Sequence, residues 1–393
     1  MKTFQCSHCH SLVFFNDLVC LNCQHALGFE PQSLTLLAVA PVPEQAGDDD
    51  AQAADGPSHW QVAGDPDTEQ SLPAGTFRFC RNHTDHQACN FLVADDDPDA
   101  YCVSCRQTRI IPNLDMPGNL QRWATIEHAK RRLFYTLAKL GLEEGVSGGP
   151  GVRTPVYEFL EDIPGEPPVM TGHDDGLITI NIAEADDAER IRRRIDLHEP
   201  YRTLLGHLRH EVGHYFWDQF FQDDPQALND FREVFGDETL DYGQALQQHY
   251  QQPRADWQSA FVSSYATSHP WEDWAETWAH YLHLMDLLET AANYQMAFTL
   301  KSPEGPMAVQ CLDPYDAMAG LTAPQDADAP PSAGLVELLN QGMGVSLVLN
   351  SLNRSLGQED AYPFALTTPV LGKLAFVHEI VQRKRSQTGA GEA

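Results

Sequence analysis

His210-Glu211-Val212-Gly213-His214 is the stretch of this sequence that decides its architecture. Residues four apart share one face of a helix, so both imidazoles can point at one zinc ion. Glu211 lies too far around the helix to be a ligand, and its carboxylate can instead accept a proton from water. Apolar residues from Leu204 to Trp217 surround the motif and predict a buried helix over 200–220. The alternative is a surface helix with two solvated histidines.

A catalytic zinc ion needs a third protein ligand, and a second predicted helix over 271–291 offers candidates. Glu272, Glu276 and His280 recur every four residues along one face of it. Its Glu-x-x-Ala-Glu-x-x-Ala pattern resembles the second zinc-ligand helix of glutamate-type zincins. The resemblance implies that Glu272 is the ligand and that Glu276 orients a motif histidine. Glu276 and His280 stay open as rival third ligands.

A further resemblance makes Tyr265 a candidate catalytic residue. It precedes Glu272 by seven residues, as a tyrosine does in the zinc peptidase domain of anthrax lethal factor. The resemblance implies that Tyr265 stabilises the oxyanion of the reaction. An ordinary buried tyrosine is the alternative interpretation.

Eight of the nine cysteines lie before residue 106 and form two groups. Cys6-x2-Cys9-x10-Cys20-x2-Cys23 contains two CxxC pairs, whose spacing is typical of four thiolates around one tetrahedral zinc. Such a short unit has too small a core to fold alone, so we expect the metal to supply much of its folding free energy. A redox pair is the alternative, but the βαβ setting that such a pair needs is absent.

The second group, Cys80-x8-Cys89-x12-Cys102-x2-Cys105, has a less diagnostic spacing. His83 and His86 could compete with Cys89 for the metal. Four thiolates make the simplest closed site, and a closed site has no open position for catalysis. Both groups are therefore predicted to be structural zinc sites.

Composition and periodicity divide the chain into four parts. We predict an N-terminal zinc ribbon over 1–30, an acidic and partly flexible linker over 31–75, a second zinc-binding unit over 76–112 and a metallopeptidase-like domain over 113–393. The last part is expected to be mostly helical with a small sheet. Its other predicted elements are helices over 119–142, 333–356 and 367–384 and strands over 156–160 and 177–181.

Charge and hydropathy exclude several classes of protein. The 393 residues include 56 acidic and 25 basic ones, which leaves a formal charge of −31. Such a charge repels phosphate backbones and anionic lipid surfaces, so neither nucleic acid nor a membrane is an expected partner. No apolar run approaches the roughly 18 residues of a membrane span. The first residues show no export signal, so the cytoplasm is the expected location.

Over nearly its whole length, except for the acidic stretch, the chain resembles bacterial zinc-binding metallopeptidases that join an N-terminal zinc ribbon to an HExxH domain. The resemblance is carried by the cysteine groups, the HExxH motif, Asn90-Phe91-Leu92-Val93, Glu127-His128-Ala129-Lys130-Arg131-Arg132, Thr171-Gly172-His173, Gly206-His207-Leu208-Arg209, His269-Pro270-Trp271-Glu272-Asp273-Trp274-Ala275-Glu276 and Tyr362-Pro363-Phe364. It implies an α+β, zincin-like fold and, through that fold, a strand that binds the substrate backbone, for which Leu177 to Asn181 is the candidate.

These observations predict a zinc metallopeptidase that hydrolyses peptide bonds with a zinc-activated water. His210, His214 and Glu272 would hold one catalytic Zn2+, Glu211 would be the general base, and two further Zn2+ ions would be structural. Peptides or proteins are the expected substrates, and the zinc ribbons could dock other proteins. The alternative is a catalytically inactive, zinc-stabilised adaptor that binds proteins through its ribbons.

Overall fold

The computed structural model describes residues 2–43, 58–65, 72–143, 154–196, 203–302, 305–319, 333–364 and 366–387. The described residues form two compact units. One runs from Thr3 to Arg131, and the other contains the described residues from Arg132 onward together with Lys2. Each unit is considered by itself below.

The N-terminal unit is built on short antiparallel strands. Strands β1 and β2 pair with each other, and β3 to β7 form a five-stranded sheet in sequence order. The elements of this unit are β1 (Phe4–Gln5), β2 (Leu12–Val13), β3 (Ala26–Glu30), β4 (Thr35–Pro41), β5 (Trp60–Val62), β6 (Thr76–Phe79), α1 (Arg81–Thr84), β7 (Leu92–Ala94) and β8 (Thr108–Ile110).

Strands β4 and β5 lie inside the stretch predicted to be an acidic linker. Residues 36–39 of β4 are at most 1% exposed, and Leu37 packs in a cluster with Phe77 and Leu92. The linker prediction over 31–75 is therefore wrong at these strands, because an apolar run, Leu36 to Ala40, lies within an acidic average composition. Residues 44–57 and 66–71 of that stretch lie outside the described part of the chain.

The two cysteine groups lie in one compact unit rather than in separate units. The backbone N–H of Phe29, in β3, donates to the carbonyl of Asn90, next to β7, at 2.7 Å. The rings of Phe29 and Phe91 lie 4.6 Å apart, and Phe15 packs against both. The predicted division at 30 and 76 therefore differs from the structure, in which shared aromatic packing joins the two groups.

Helices dominate the second unit, and the α+β class is confirmed. The structure has a helix at each of the five predicted positions, 119–142, 200–220, 271–291, 333–356 and 367–384. No described helix is both long and apolar enough to cross a bilayer. The bounds are α2 (Asn119–Lys139, which begins in the N-terminal unit), α3 (Asp187–Asp196), α4 (Leu204–Phe221), α5 (Pro225–Phe235), α6 (Tyr242–Gln251), α7 (Pro270–Asn293), α8 (Pro314–Ala319), α9 (Ala333–Ser355) and α10 (Thr368–Gln387).

The strands of this unit are β9 (Val156–Leu160), β10 (Gly172–Asp174), β11 (Leu177–Asn181), β12 (Ala297–Ser302) and β13 (Gly305–Gln310). β11 pairs in parallel with β9 and antiparallel with β10, and β12 pairs with β13. Both edges of β11 are thus occupied. The prediction that Leu177 to Asn181 adds a substrate strand is wrong, since a strand with two neighbours has no free backbone groups to offer.

Helices α4 and α7 pack against each other through an aromatic core. Trp274 and Trp278 of α7 are fully buried, and their rings contact Phe220 and Phe221 of α4. The chain begins both helices with local caps. The side chain of Thr203 accepts a hydrogen bond from the backbone of α4, and Pro270 follows the cap residue of α7. These helices carry the HExxH motif and the Glu-x-x-Ala-Glu motif.

Shortening a buried leucine of β4 tests whether this strand belongs to the core. Leu37→Ala should lower the free energy of unfolding by about 2–5 kcal/mol, because the cavity cannot fully close. Leu21→Ala is the matched control, since Leu21 is 89% exposed in the same unit. Urea denaturation of the zinc-loaded proteins measures both. Equal stability of Leu37→Ala and wild type would contradict a core role for β4.

Candidate metal centres and active site

The first cysteine group is arranged around a common point. Two sulfur pairs, Cys6 with Cys23 and Cys9 with Cys20, are each separated by 3.6 Å. Zn–S bonds of about 2.3 Å place the sulfurs of a tetrahedral site about 3.8 Å apart. The four thiols, which can come within bonding distance of one ion, therefore fit zinc. The neighbouring His10 is not part of this cluster, and its Nε2 lies 2.7 Å from Asp65 Oδ2.

The second cysteine group has the same geometry. Cys89 Sγ lies 3.8 Å from the sulfurs of both Cys102 and Cys105, and Cys80 completes the cluster. All four side chains are buried. His83 is not part of this cluster, because its Nδ1 lies 2.7 Å from the carbonyl of Cys89, and His86 packs edge-on against Trp123.

A third cluster contains the two histidines of the HExxH motif, on α4, and Glu272 of α7. His210 Nε2 lies 3.0 Å from Glu272 Oε2 and 3.2 Å from His214 Nε2. The His214 and Glu272 atoms are 3.5 Å apart. Zn–N and Zn–O bonds of about 2.1 Å would place tetrahedral ligand atoms about 3.4 Å from one another. The three predicted ligands therefore converge at the spacing that one zinc ion requires.

Hydrogen bonding supports a cation at this point. Glu272 is 1% exposed, and its Oε1 accepts a hydrogen bond from the Tyr242 hydroxyl at 2.7 Å. Its Oε2, the atom that faces the imidazoles, is buried without a hydrogen-bond partner. A buried carboxylate oxygen needs compensation. Two imidazole nitrogens and one carboxylate form a donor set that is typical of catalytic zinc.

The two rival third ligands lie elsewhere. Glu276 Oε1 is 2.7 Å from His210 Nδ1, on the opposite side of the ring from Glu272. A carboxylate in this position fixes the tautomer and orientation of a ligating histidine. His280 lies one turn further along α7, where its Nδ1 is 2.7 Å from the Tyr362 hydroxyl. Burial lowers the pKa of His280 to about 4. Glu272 alone of the three candidates reaches the cluster.

Glu211 lies beside the cluster on the same helix and is nearly buried. Its Oε1 is 3.2 Å from His207 Nε2. Burial alone would raise the pKa of Glu211, but the hydrogen bond from His207 and nearby imidazoles lower it overall. The carboxylate is thus held ionised, as a general base must be.

Two tyrosines flank the cluster, and only one was predicted. The rings of Tyr265 and His210 lie 5.9 Å apart. Burial raises the pKa of Tyr265, and the nearby Glu272 and Tyr242 raise it further, so its hydroxyl stays protonated. Tyr242 is the residue that sequence reasoning missed. It is the first residue of α6, and nothing in its local pattern distinguishes it from a surface aromatic residue.

His173 also lies near the cluster, on β10. Its ring faces that of His214 with centroids 6.4 Å apart. The backbone N–H of Gly176 donates to its Nε2 at 3.0 Å. Burial, with the nearby His214, lowers the pKa of His173 to about 4. A neutral imidazole therefore lies between the tip of the β10–β11 hairpin and the motif helix.

Removing the Tyr242 hydroxyl tests its contact with Glu272. Tyr242→Phe should weaken zinc binding at the third site by about 10–100-fold, because a ligand carboxylate loses the hydrogen bond that orients it. Zinc competition with a chelator of known affinity measures the change. Tyr294→Phe, at an exposed position of the same unit, is the control. Wild-type affinity in Tyr242→Phe would show that the contact does not support the ligand.

Comparisons with known proteins agree with this arrangement. Residues 119–380 match a family described as "Putative zinc-binding metallo-peptidase", and residues 3–116 match a zinc-ribbon domain. The chain is 35% identical over 388 residues to uncharacterized proteins of Mycobacterium bovis and of two strains of Mycobacterium tuberculosis, which covers 97% of this chain and 95% of each relative. No solved structure matches it significantly. The resemblance identified in the sequence is thus confirmed, and the chain belongs to this zinc-binding metallo-peptidase family, with a zinc-ribbon domain at its N-terminus.

Proposed function

We propose that the protein is a zinc-dependent peptidase whose active site is the cluster of His210, His214 and Glu272 with Glu211 beside it. The convergence of three ligand atoms within 3.0–3.5 Å of one another carries this proposal. Zinc in such a site supplies a Lewis acid and lowers the pKa of water. The two cysteine clusters offer four thiols each, and we propose that they hold structural zinc.

The role of Glu211 in this proposal is to move a proton. Its ionised carboxylate accepts a proton from the water that attacks the peptide carbonyl. The same carboxylate then delivers that proton to the departing amine. Glu276 keeps His210 in one orientation through Nδ1, and Tyr242 does the same for Glu272.

Tyr265 is proposed to stabilise the negative charge that develops on the carbonyl oxygen. A protonated phenol beside the cluster can donate a hydrogen bond to that oxygen. The raised pKa of Tyr265, which burial causes, is consistent with a donor rather than a base. The Tyr242 hydroxyl donates to Glu272, and a side-chain hydrogen bond also links Tyr265 to Tyr242.

We propose that β10, and not β11, is the strand that binds the substrate backbone. Among the described residues β10 is an edge strand that pairs with β11 alone, and its His173 faces His214 of the cluster. An extended peptide can pair with such an edge, because the edge offers backbone groups that no neighbouring strand uses. A peptide bound there would pass close to the metal ligands.

The N-terminal unit is proposed to dock proteins. Three apolar side chains of the first cysteine group are more than half exposed, namely Leu12, Phe14 and Leu21. Apolar side chains at a surface favour protein contacts over nucleic acid.

We also propose a cytoplasmic location. The nine cysteines, all within the described residues, are free thiols, and unpaired thiols are typical of a reducing compartment.

A Glu211→Gln variant tests the peptidase proposal. Wild type and variant should each contain three zinc ions per chain, because Glu211 is not a ligand. Cleavage of casein and of a mixed peptide library, read by mass spectrometry, should fall by about 10²–10⁴-fold in the variant, because the general base is lost. Glu166→Gln, at an exposed position, is the control. A zinc-loaded wild type that cleaves nothing would favour the adaptor.

A pair of alanine variants tests the ligand assignment separately. Glu272→Ala should lose zinc from the third site and keep the zinc of the cysteine clusters. His280→Ala should keep all three ions, because His280 contacts Tyr362 instead of the cluster. Metal analysis by inductively coupled plasma mass spectrometry measures both. The reverse result would show that His280 is the third ligand.

A further inference from the structure

A partly buried histidine next to the motif, His207, lies between two carboxylates. Its Nδ1 contacts Glu184 Oε2, and its Nε2 lies 3.2 Å from Glu211 Oε1. The sequence leaves the role of His207 open between a support for the site and an ordinary core histidine. Since His207 and Glu211 are four residues apart on α4, the helix itself places the ring against the carboxylate.

Glu184 is anchored at the end of the sheet. It lies in the turn at residues 182–185 that follows β11, and its side chain is 1% exposed. Its Oε1 accepts a hydrogen bond from the Thr171 hydroxyl at 2.8 Å. The Thr171 oxygen in turn accepts one from the backbone of Asn181 at 3.1 Å. The carboxylate is therefore held from the side of the sheet as well as by its contact with α4.

The contacts of His207 determine its protonation. An ionised carboxylate only accepts hydrogen bonds, so an imidazole that bridges two ionised carboxylates donates from both nitrogens. Charge-assisted hydrogen bonds of this kind are stronger and better oriented than neutral ones.

We propose that Glu184 and His207 form a positioning pair that holds Oε1 of Glu211, so that Oε2 is the atom that accepts the proton. Without the pair, the carboxylate could rotate about its last side-chain bond and would lose a cationic neighbour. This inference rests on the proposed peptidase function. The positioning pair touches neither metal nor substrate in this scheme, and it acts through Glu211.

The pair makes a kinetic prediction for Glu184→Gln. This isosteric change removes the charge that holds His207 doubly protonated. We expect kcat to fall by about 10–100-fold, the size typical of lost support for a site residue, with KM and zinc content unchanged. His207→Gln should behave similarly. Thr171→Val, which removes one contact of Glu184, should have a smaller effect in the same direction. Glu166→Gln is the exposed matched control.

A second readout does not depend on activity. In protein labelled with ¹⁵N-histidine, NMR should show both nitrogens of His207 protonated at pH 8 in wild type, with His207→Gln used to assign the signals. Glu184→Gln should leave one nitrogen protonated. A neutral His207 in wild type would overturn the pair, whether or not the protein cleaves peptides.

The kinetic outcomes separate the pair from the peptidase function. A wild-type kcat in both Glu184→Gln and His207→Gln would overturn the pair and leave the peptidase proposal standing. Loss of zinc together with activity would also overturn it, because the residues would then support the metal site and not the base. If wild type shows no cleavage, the peptidase proposal fails, and the NMR measurement still decides whether His207 is held between two carboxylates.

Discussion

The close approach of α4 and α7 at Gly213 is the constraint on which the candidate site depends. A Cβ atom at this position would lie 3.0 Å from the backbone of Ala275 and 3.2 Å from the side chain of Trp278. Glycine inside a helix costs about 0.5–1 kcal/mol relative to alanine. In return, Glu272 and Glu276 reach both sides of the His210 ring. The Trp274 indole N–H also donates to the Gly213 carbonyl at 2.8 Å, which holds the helices at this separation.

That approach brings several charged groups out of water at once. Burial by itself would lower the pKa of His210 and raise that of Glu272. Glu272 and Glu276 nevertheless raise the pKa of His210, and His214 and His210 lower that of Glu272. The shifts have one physical meaning, which is that the carboxylates stabilise positive charge between the two helices. A divalent cation satisfies this demand better than protons do, because it can bind all three facing atoms together.

The sequence alone predicts those parts of the candidate site whose residues are spaced along one helix or one loop. The i, i+4 rule places His210 and His214 on one face, and the CxxC pairs bring their sulfurs together. The sequence does not predict the contacts that join distant segments of the chain. Glu184 and Tyr242 reach the site from a turn and from a short helix, and no local pattern indicates either. The prediction that β11 pairs with substrate is wrong for a related reason. A short apolar run predicts a buried strand but does not indicate how many strands pair with it.

The candidate site contains one arrangement twice, in which a histidine lies between two carboxylates. His207 lies between Glu184 and Glu211, and His210 lies between Glu276 and Glu272. In both cases a carboxylate on Nδ1 fixes the ring. At Nε2 the two diverge. His207 faces one carboxylate, and a proton there satisfies both groups. His210 Nε2 faces Glu272 and a second imidazole nitrogen, and a single proton cannot bridge three atoms. The neighbouring His214 therefore makes His210 suited to a metal, whereas His207 is suited to hold the carboxylate of Glu211.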